Sequence, residues 1–188
     1  MRALFLITAA IAMPLATTAA ERTSAAAPAA AVSAHDVLAM EEGVWDAAIE
    51  FPPAEPGAAP THATGVQTNT FVTGERWIRN DFAVDAKYGG HGTWGYDPVK
   101  GKYVGIWVDS NQDYIRLDEG NYDAAARTMT WWSELRQPAP HPPARYRMTE
   151  EFRGDTRVLT MVAFGPKTGK EVPLGTITFT RRAGAASR

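Results

Sequence analysis

From Gly43 to Arg182 the chain alternates between apolar and polar positions in short runs, most of them ended by turn-forming residues. A period of two marks a half-buried β-strand, because successive side chains of an extended chain point to opposite faces. The clearest stretch is Gly89 to Asp109. Two runs of β-formers there flank Asp97-Pro98-Val99-Lys100-Gly101, where Pro presets one turn dihedral and Gly supplies a positive one, so a hairpin is predicted. The second arm sets Tyr103, Gly105, Trp107 and Asp109 against Val104, Ile106 and Val108. One face is aliphatic and the other mixes rings with small or charged groups. The alternation leaves open which of them turns inward.

The pattern repeats on both sides. Gly43-Val44-Trp45 opens a strand through Phe51, with Trp45, Ala47, Ile49 and Phe51 on its apolar face. Pro52 to Pro60 is a loop, since proline cannot donate to a ladder. Strands are predicted over Thr61 to Thr73 and Arg76 to Val84, the second setting Trp77, Arg79 and Asp81 against Ile78, Asn80 and Phe82. Others follow at Asp113 to Tyr122, Arg127 to Leu135, Arg145 to Arg153, Thr156 to Phe164 and Lys170 to Arg182. Tyr146, Met148, Glu150 and Phe152 share one side of theirs, and Ile177, Phe179 and Arg181 share one side of the last. The one helix expected is Ser33 to Glu42, with Ser33 as its cap, Asp36 three residues on, and Val37, Leu38 and Met40 as an apolar side that plugs one end of the fold.

About ten antiparallel strands joined mostly by short turns predict an all-β fold, a single up-and-down barrel closed by pairing its first and last strands. Such a barrel can enclose room for one small ligand. A membrane-spanning barrel is disfavoured, because no continuous outward apolar band with aromatic girdles can be traced.

Composition narrows the picture. A length of 188 residues suits one domain, and with no Cys the core must hold without disulfides or thiolate metal sites. A net charge of −2 leaves no electrostatic footprint for nucleic acid. At the N-terminus Arg2 precedes the apolar run Ala3 to Leu15, followed by small residues through Ala20. Residues 1–20 therefore read as a signal peptide cleaved near Ala20, and the run is too short to span a bilayer. Residues 21–33 read as a flexible tether, 34–182 as the barrel domain and 183–188 as a disordered tail. A periplasmic or secreted product is expected.

The order of short helix, Gly43-Val44-Trp45, antiparallel strands and a terminal basic residue resembles the calycin group of lipocalins and fatty-acid-binding proteins. In that group a Trp on the first strand packs against an Arg from the last, and the resemblance implies Trp45 with Arg181 as the matching structural pair. His91-Gly92-Thr93-Trp94-Gly95-Tyr96-Asp97-Pro98, Lys102 to Ser110, Glu119-Gly120-Asn121-Tyr122-Asp123 and Thr178-Phe179-Thr180-Arg181 are similar to the bacterial domain-of-unknown-function family numbered 1579. That similarity covers Ala34 to Arg182 and implies a calycin-like fold, with no catalytic residues to carry over.

Candidate chemistry is sparse. His91 stands between Gly90 and Gly92, so its ring has room; as an acid/base group it would need Asp109 or Glu134 in reach. The plainer account has its ring filling space over a glycine on the adjoining strand. Trp77, Trp94, Trp107, Trp131 and Trp132 are candidates to line a pocket, with Arg79, Arg116 and Tyr114 anchoring a carboxylate or other anion and Glu134 beside Trp132. The same rings also serve as ordinary core. His35, His62, His91 and His141 are too scattered for a metal, and no His follows Met148 to ligate haem, so neither metal nor cofactor is expected. Gly-x-Ser-x-Gly is absent, and Gly165-Pro166-Lys167-Thr168-Gly169-Lys170 only mimics a phosphate-binding loop. The leading expectation is a periplasmic or secreted barrel that binds a small, partly apolar ligand, with no transmembrane segment in the mature chain. The alternatives are an enzyme using His91 with a carboxylate on a bound small molecule, and an envelope-associated structural or partner-binding module.

Overall fold

A computed structural model describes residues 32–184 apart from 73, 86, 138 and 139. The predicted signal peptide, the tether as far as residue 31 and the tail from residue 185 lie outside the described residues. Among the described residues one helix, α1 (Ala34–Ala39), precedes ten strands. These are β1 (Gly43–Phe51), β2 (Thr61–Phe71), β3 (Trp77–Val84), β4 (Tyr88–Asp97), β5 (Lys102–Asp109), β6 (Arg116–Asp123), β7 (Thr128–Leu135), β8 (Ala144–Phe152), β9 (Thr156–Phe164) and β10 (Glu171–Arg181).

Each strand runs antiparallel to its neighbours in sequence, and β1 pairs with β10, so the sheet closes on itself. The closing register sets Trp45 opposite Arg181, Ala47 opposite Phe179 and Ile49 opposite Ile177. Closure satisfies the backbone groups that an open sheet leaves at its edges. The expected all-β, calycin-like, up-and-down barrel is the fold of this chain.

Alternation decides the interior. Trp45, Ala47 and Ile49 of β1, Ile78 and Phe82 of β3, Met129 and Trp131 of β7, Tyr146, Met148 and Phe152 of β8, and Ile177 and Phe179 of β10 form one buried cluster. On β5 the ring face turns inward: Tyr103 and Trp107 are buried, while Ile106 on the aliphatic face is 44% exposed. Glycines make this orientation fit. Gly105 lies opposite Trp94 and Gly92 opposite Trp107, and a Cβ at either glycine would overlap the Trp94 indole.

The helix closes one end. Ser33 Oγ accepts from the Asp36 backbone N–H at 3.1 Å, and Asp36 Oδ2 accepts from the Ser33 N–H at 3.3 Å, a reciprocal cap that fixes where α1 begins. Val37 and Leu38 are each 1% exposed and join the core. Carbonyls that a helix end leaves open need donors. Trp45 Nε1 and Asn69 Nδ2 each donate to the Glu41 carbonyl at 2.8 Å, and Arg181 donates to the carbonyls of Met40 and Glu42. Gly43 follows at φ 119°, a backbone region that side chains disfavour, and a Cβ there would overlap the Arg181 guanidinium.

Candidate functional site

The inward faces leave a cavity of about 430 Å³ inside the barrel. Its floor lies toward α1 and its mouth toward the opposite strand ends, where Phe51 closes β1 and Asn111 and Gln112 follow β5. Among the described residues, the connections at that end include Pro52 to Pro60, residues 110–115 and residues 165–170.

The waist is aromatic. Trp94 lies with its ring centroid 5.9 Å from that of Trp107 and 6.2 Å from that of Trp131. All three indoles line the cavity with Phe82, Tyr88 and Tyr146. Rings in these tilted arrangements offer faces and edges to a planar or aliphatic body.

One wall carries a buried ion pair. Arg116 Nε donates to Asp118 Oδ1 at 2.8 Å and Arg116 Nη2 donates to Asp118 Oδ2 at 3.0 Å, a two-pronged fit from alternate positions of β6. The Arg116 guanidinium lies 5.3 Å from the Tyr146 ring centroid and 5.8 Å from that of Trp107. Burial works against its charge, but Asp118 outweighs burial and holds Arg116 above its usual value. Burial also raises Tyr146, and burial with the nearby Asp109 carboxylate pushes Tyr88 up to about 12. Both phenols stay protonated at neutral pH.

The floor holds a second charged cluster. Arg157 Nη1 donates to Glu150 Oε1 at 2.6 Å, and Arg157 Nη2 donates to Gln67 Oε1. Its guanidinium carbon sits 4.2 Å from the Trp45 ring centroid and 4.6 Å from that of Phe179. Glu41, arriving from the end of α1, brings Oε2 only to within 3.9 Å of Arg157 Nη1. Burial, then repulsion from Glu150, push Glu41 up to about 8, with Arg157 pulling the other way. Burial raises Glu150 too, against the opposing pull of Arg157. Two carboxyl groups thus share one guanidinium in a place water reaches poorly.

Strand parity sorts the residues expected from sequence. Trp94, Trp107 and Arg116 turn into the cavity, as does Trp131. Six others do not. His91 is exposed on the outer face of β4, because its neighbours Gly90 and Gly92 occupy the inward parity. Those glycines accommodate Trp107 and Trp94 from the inside and do not make room for His91. The proposed use of His91 with Asp109 or Glu134 as an acid/base pair is therefore corrected: Asp109 lines the mouth and Glu134 is exposed outside. Trp77, 41% exposed, packs on the outer surface over Gly95, and Arg79 pairs with Asp81 at 2.9 Å outside the barrel. Trp132 is also external, its ring under Arg145 at 4.4 Å and beside Phe164. Tyr114 stands in the turn between β5 and β6, where its hydroxyl accepts from the Arg136 N–H at 3.0 Å and its ring meets the Arg136 guanidinium. Anchoring of an anion by Arg79 and Tyr114 is overturned with these placements.

Glu41, Gln67, Asn80, Asp118, Glu150 and Arg157 were not singled out from sequence as site residues. The usable signal was their parity: Glu150 alternates in step with Tyr146, Met148 and Phe152, and Asn80 with Ile78 and Phe82. The Trp45 and Arg181 pair meets as the resemblance implied, with the guanidinium carbon of Arg181 4.0 Å from the Trp45 ring centroid. Among the described residues no three His, Asp or Glu side chains converge as metal ligands.

A closed ten-strand antiparallel barrel, stoppered by one helix and hollow within, defines a calycin-like protein. The chain belongs to DUF1579, a family described as a protein of unknown function, whose model matches residues 30–181. Among solved structures it is similar to the S-type phycobiliprotein lyase CPES from Guillardia theta, with a TM-score of 0.50 and 13% identity over 81% of this chain and 94% of that one. That likeness is one of fold. No curated protein matches the chain. Among the described residues no helix is long and apolar enough to cross a membrane.

Proposed function

We propose that this chain is an exported binding protein whose barrel holds one small, partly apolar molecule. The observation that carries the reading is the cavity of about 430 Å³, a volume within the range of small-molecule sites, lined by Trp94, Trp107 and Trp131 and reached from one end. A barrel with no task inside has no reason to leave this much space, because protein interiors otherwise pack to the density of organic crystals. Export rests on the N-terminal sequence: Arg2, the apolar run Ala3 to Leu15 and small residues through Ala20. The mature product would then work in the periplasm or outside the cell.

Titration of the mature protein with a neutral naphthyl dye tests the reading. The three indoles that line the cavity make tryptophan fluorescence a direct reporter, and saturable one-to-one quenching is expected. Native mass spectrometry of protein purified from its own periplasm would add the mass of any retained molecule. Absence of quenching by apolar dyes of this size would remove the container from consideration, and recovery of the precursor uncleaved in the cytoplasm would remove export.

A further inference from the structure

We infer that the cavity selects a cation: an amine or amidine carried on an aromatic or otherwise apolar body, its charged end seated at the floor against Glu41 and Asn80. The inference rests on the container reading above and names the class of molecule contained.

The charges facing the cavity do not balance. Glu41, Asp109 and Glu150 line it, against the guanidiniums of Arg116 and Arg157. Arg116 gives Nε and Nη2 to Asp118, and Arg157 gives Nη1 to Glu150 and Nη2 to Gln67 while covering the rings of Trp45 and Phe179, its Nε–H left without an acceptor among the described residues. Pairing Arg116 with Asp118 and Arg157 with Glu150 leaves Asp109 without a charged partner, while Glu41, pushed up to about 8 by burial, holds at neutral pH a proton that an arriving ammonium would displace. Asp109 is held only by neutral donors: Trp107 Nε1 at 2.8 Å, Gln112 Nε2 at 3.1 Å and the Asn111 N–H at 2.8 Å. The Glu41 carboxyl accepts no hydrogen bond from any described residue, and its approach to Arg157 at 3.9 Å is too long to be one.

An independent observation marks the same place. Asn80 is only 5% exposed, faces the cavity, and its Oδ1 accepts from no donor among the described residues. It pairs across the sheet with Asn69, whose Nδ2 donates to the Glu41 carbonyl, so Asn80 belongs to the floor. Buried acceptors without donors cost free energy, and a ligand that brings N–H groups relieves that cost. An ammonium does this for Glu41 and Asn80 together. A carboxylate brings no N–H group to Glu41 or Asn80, and beside Arg157 it would also lie against Glu150. The indole faces above the floor add to the preference, because aromatic rings attract cations.

Three probes sharing one naphthalene body separate the outcomes: 1-naphthylmethylamine, 1-naphthalenemethanol and 1-naphthoate, each titrated against tryptophan fluorescence at neutral pH. The amine is expected to bind at least about tenfold tighter than the alcohol, and the naphthoate weakest. The amine's lead should shrink several-fold in Glu41→Gln, and in Asn80→Ala as a second variant should the first fail to fold. Equal or tighter binding of the alcohol or naphthoate would overturn the cation preference while leaving the container standing. Failure of all three to bind would sink both.

Discussion

Arg181 and Trp45 meet across the seam where the last strand joins the first, the guanidinium carbon 4.0 Å from the ring centroid. The same guanidinium donates to the carbonyls of Met40 and Glu42, so one side chain ties the barrel seam to the end of its helical stopper. Charged hydrogen bonds of this kind contribute about 1.5 to 3 kcal/mol each net of the bonds given up to water, less where partly exposed, and a cation over an indole about 0.5 to 2. Arg181→Ala is expected to lower the stability by about 2 to 3 kcal/mol, read from urea denaturation, with Arg181→Lys recovering a minor part. A loss below about 0.5 kcal/mol would show that Val37, Leu38 and the bonds to the Glu41 carbonyl hold the stopper without Arg181.

Arg157 has the opposite character, since its task is to offset two carboxyl groups in a buried floor. Removing one partner of a buried ionic cluster costs about 3 to 5 kcal/mol, because the remaining charge has no water to turn to. Arg157→Met is expected to lose stability on that scale at neutral pH and to regain part of it near about pH 5, because burial keeps Glu41 and Glu150 protonated in the folded chain and the unfolded chain gains less from releasing those protons as pH falls. Denaturation at the two pH values checks this. A variant equally unstable at both would assign the loss to packing against Trp45 and Phe179.

Glu41 also gives the native protein a pH slope. Its carboxyl titrates near about 8 in the folded chain against an ordinary 4.5, so between those values the folded state holds a proton that the unfolded state has released. Stability from this group is complete below the lower value and falls as pH rises toward the upper one. The groups facing it are Glu150 of β8, Arg157 of β9, and the neutral Gln67, Asn69 and Trp45. The urea midpoint should decline from mildly acidic to mildly alkaline pH, and Glu41→Gln should flatten that decline. An unchanged slope in the variant would place the proton uptake elsewhere.

Gly105 tests the aromatic waist. A methyl group there would overlap the Trp94 indole, which has no free space behind it on Gly92. Overpacking of this sort costs about 1 to 3 kcal/mol. Gly105→Ala is expected to destabilise on that scale and to shift Trp94 into the cavity, weakening naphthyl-probe binding by about tenfold or more. Normal binding in a destabilised variant would mean that the waist does not grip the ligand.

Strand positions and the capped helix were legible because each depends on local chemistry: alternation, turn residues, Ser33 with Asp36; the pairing of Trp45 with Arg181 came from the calycin resemblance alone. The inward direction of each strand was less so. On β5 the aliphatic run of Val104, Ile106 and Val108 is the intuitive core face, yet the rings are inside because glycines on the facing strand give them space, a long-range fit that the strand itself does not encode. His91 drew attention through flanking glycines whose purpose lay on the other side of the sheet. The floor escaped notice for a related reason. Arg157, Glu150, Gln67 and Glu41 come from four separate elements and gain meaning only once closure brings them together.

The helical stopper has a further consequence. Among the described residues α1 closes one end of the hollow, so what settles inside leaves toward the other end, past Phe51 and Gln112. Such a vessel is suited to keeping or delivering its cargo and not to passing it through, so the lifetime of the filled state depends on the loops at the rim.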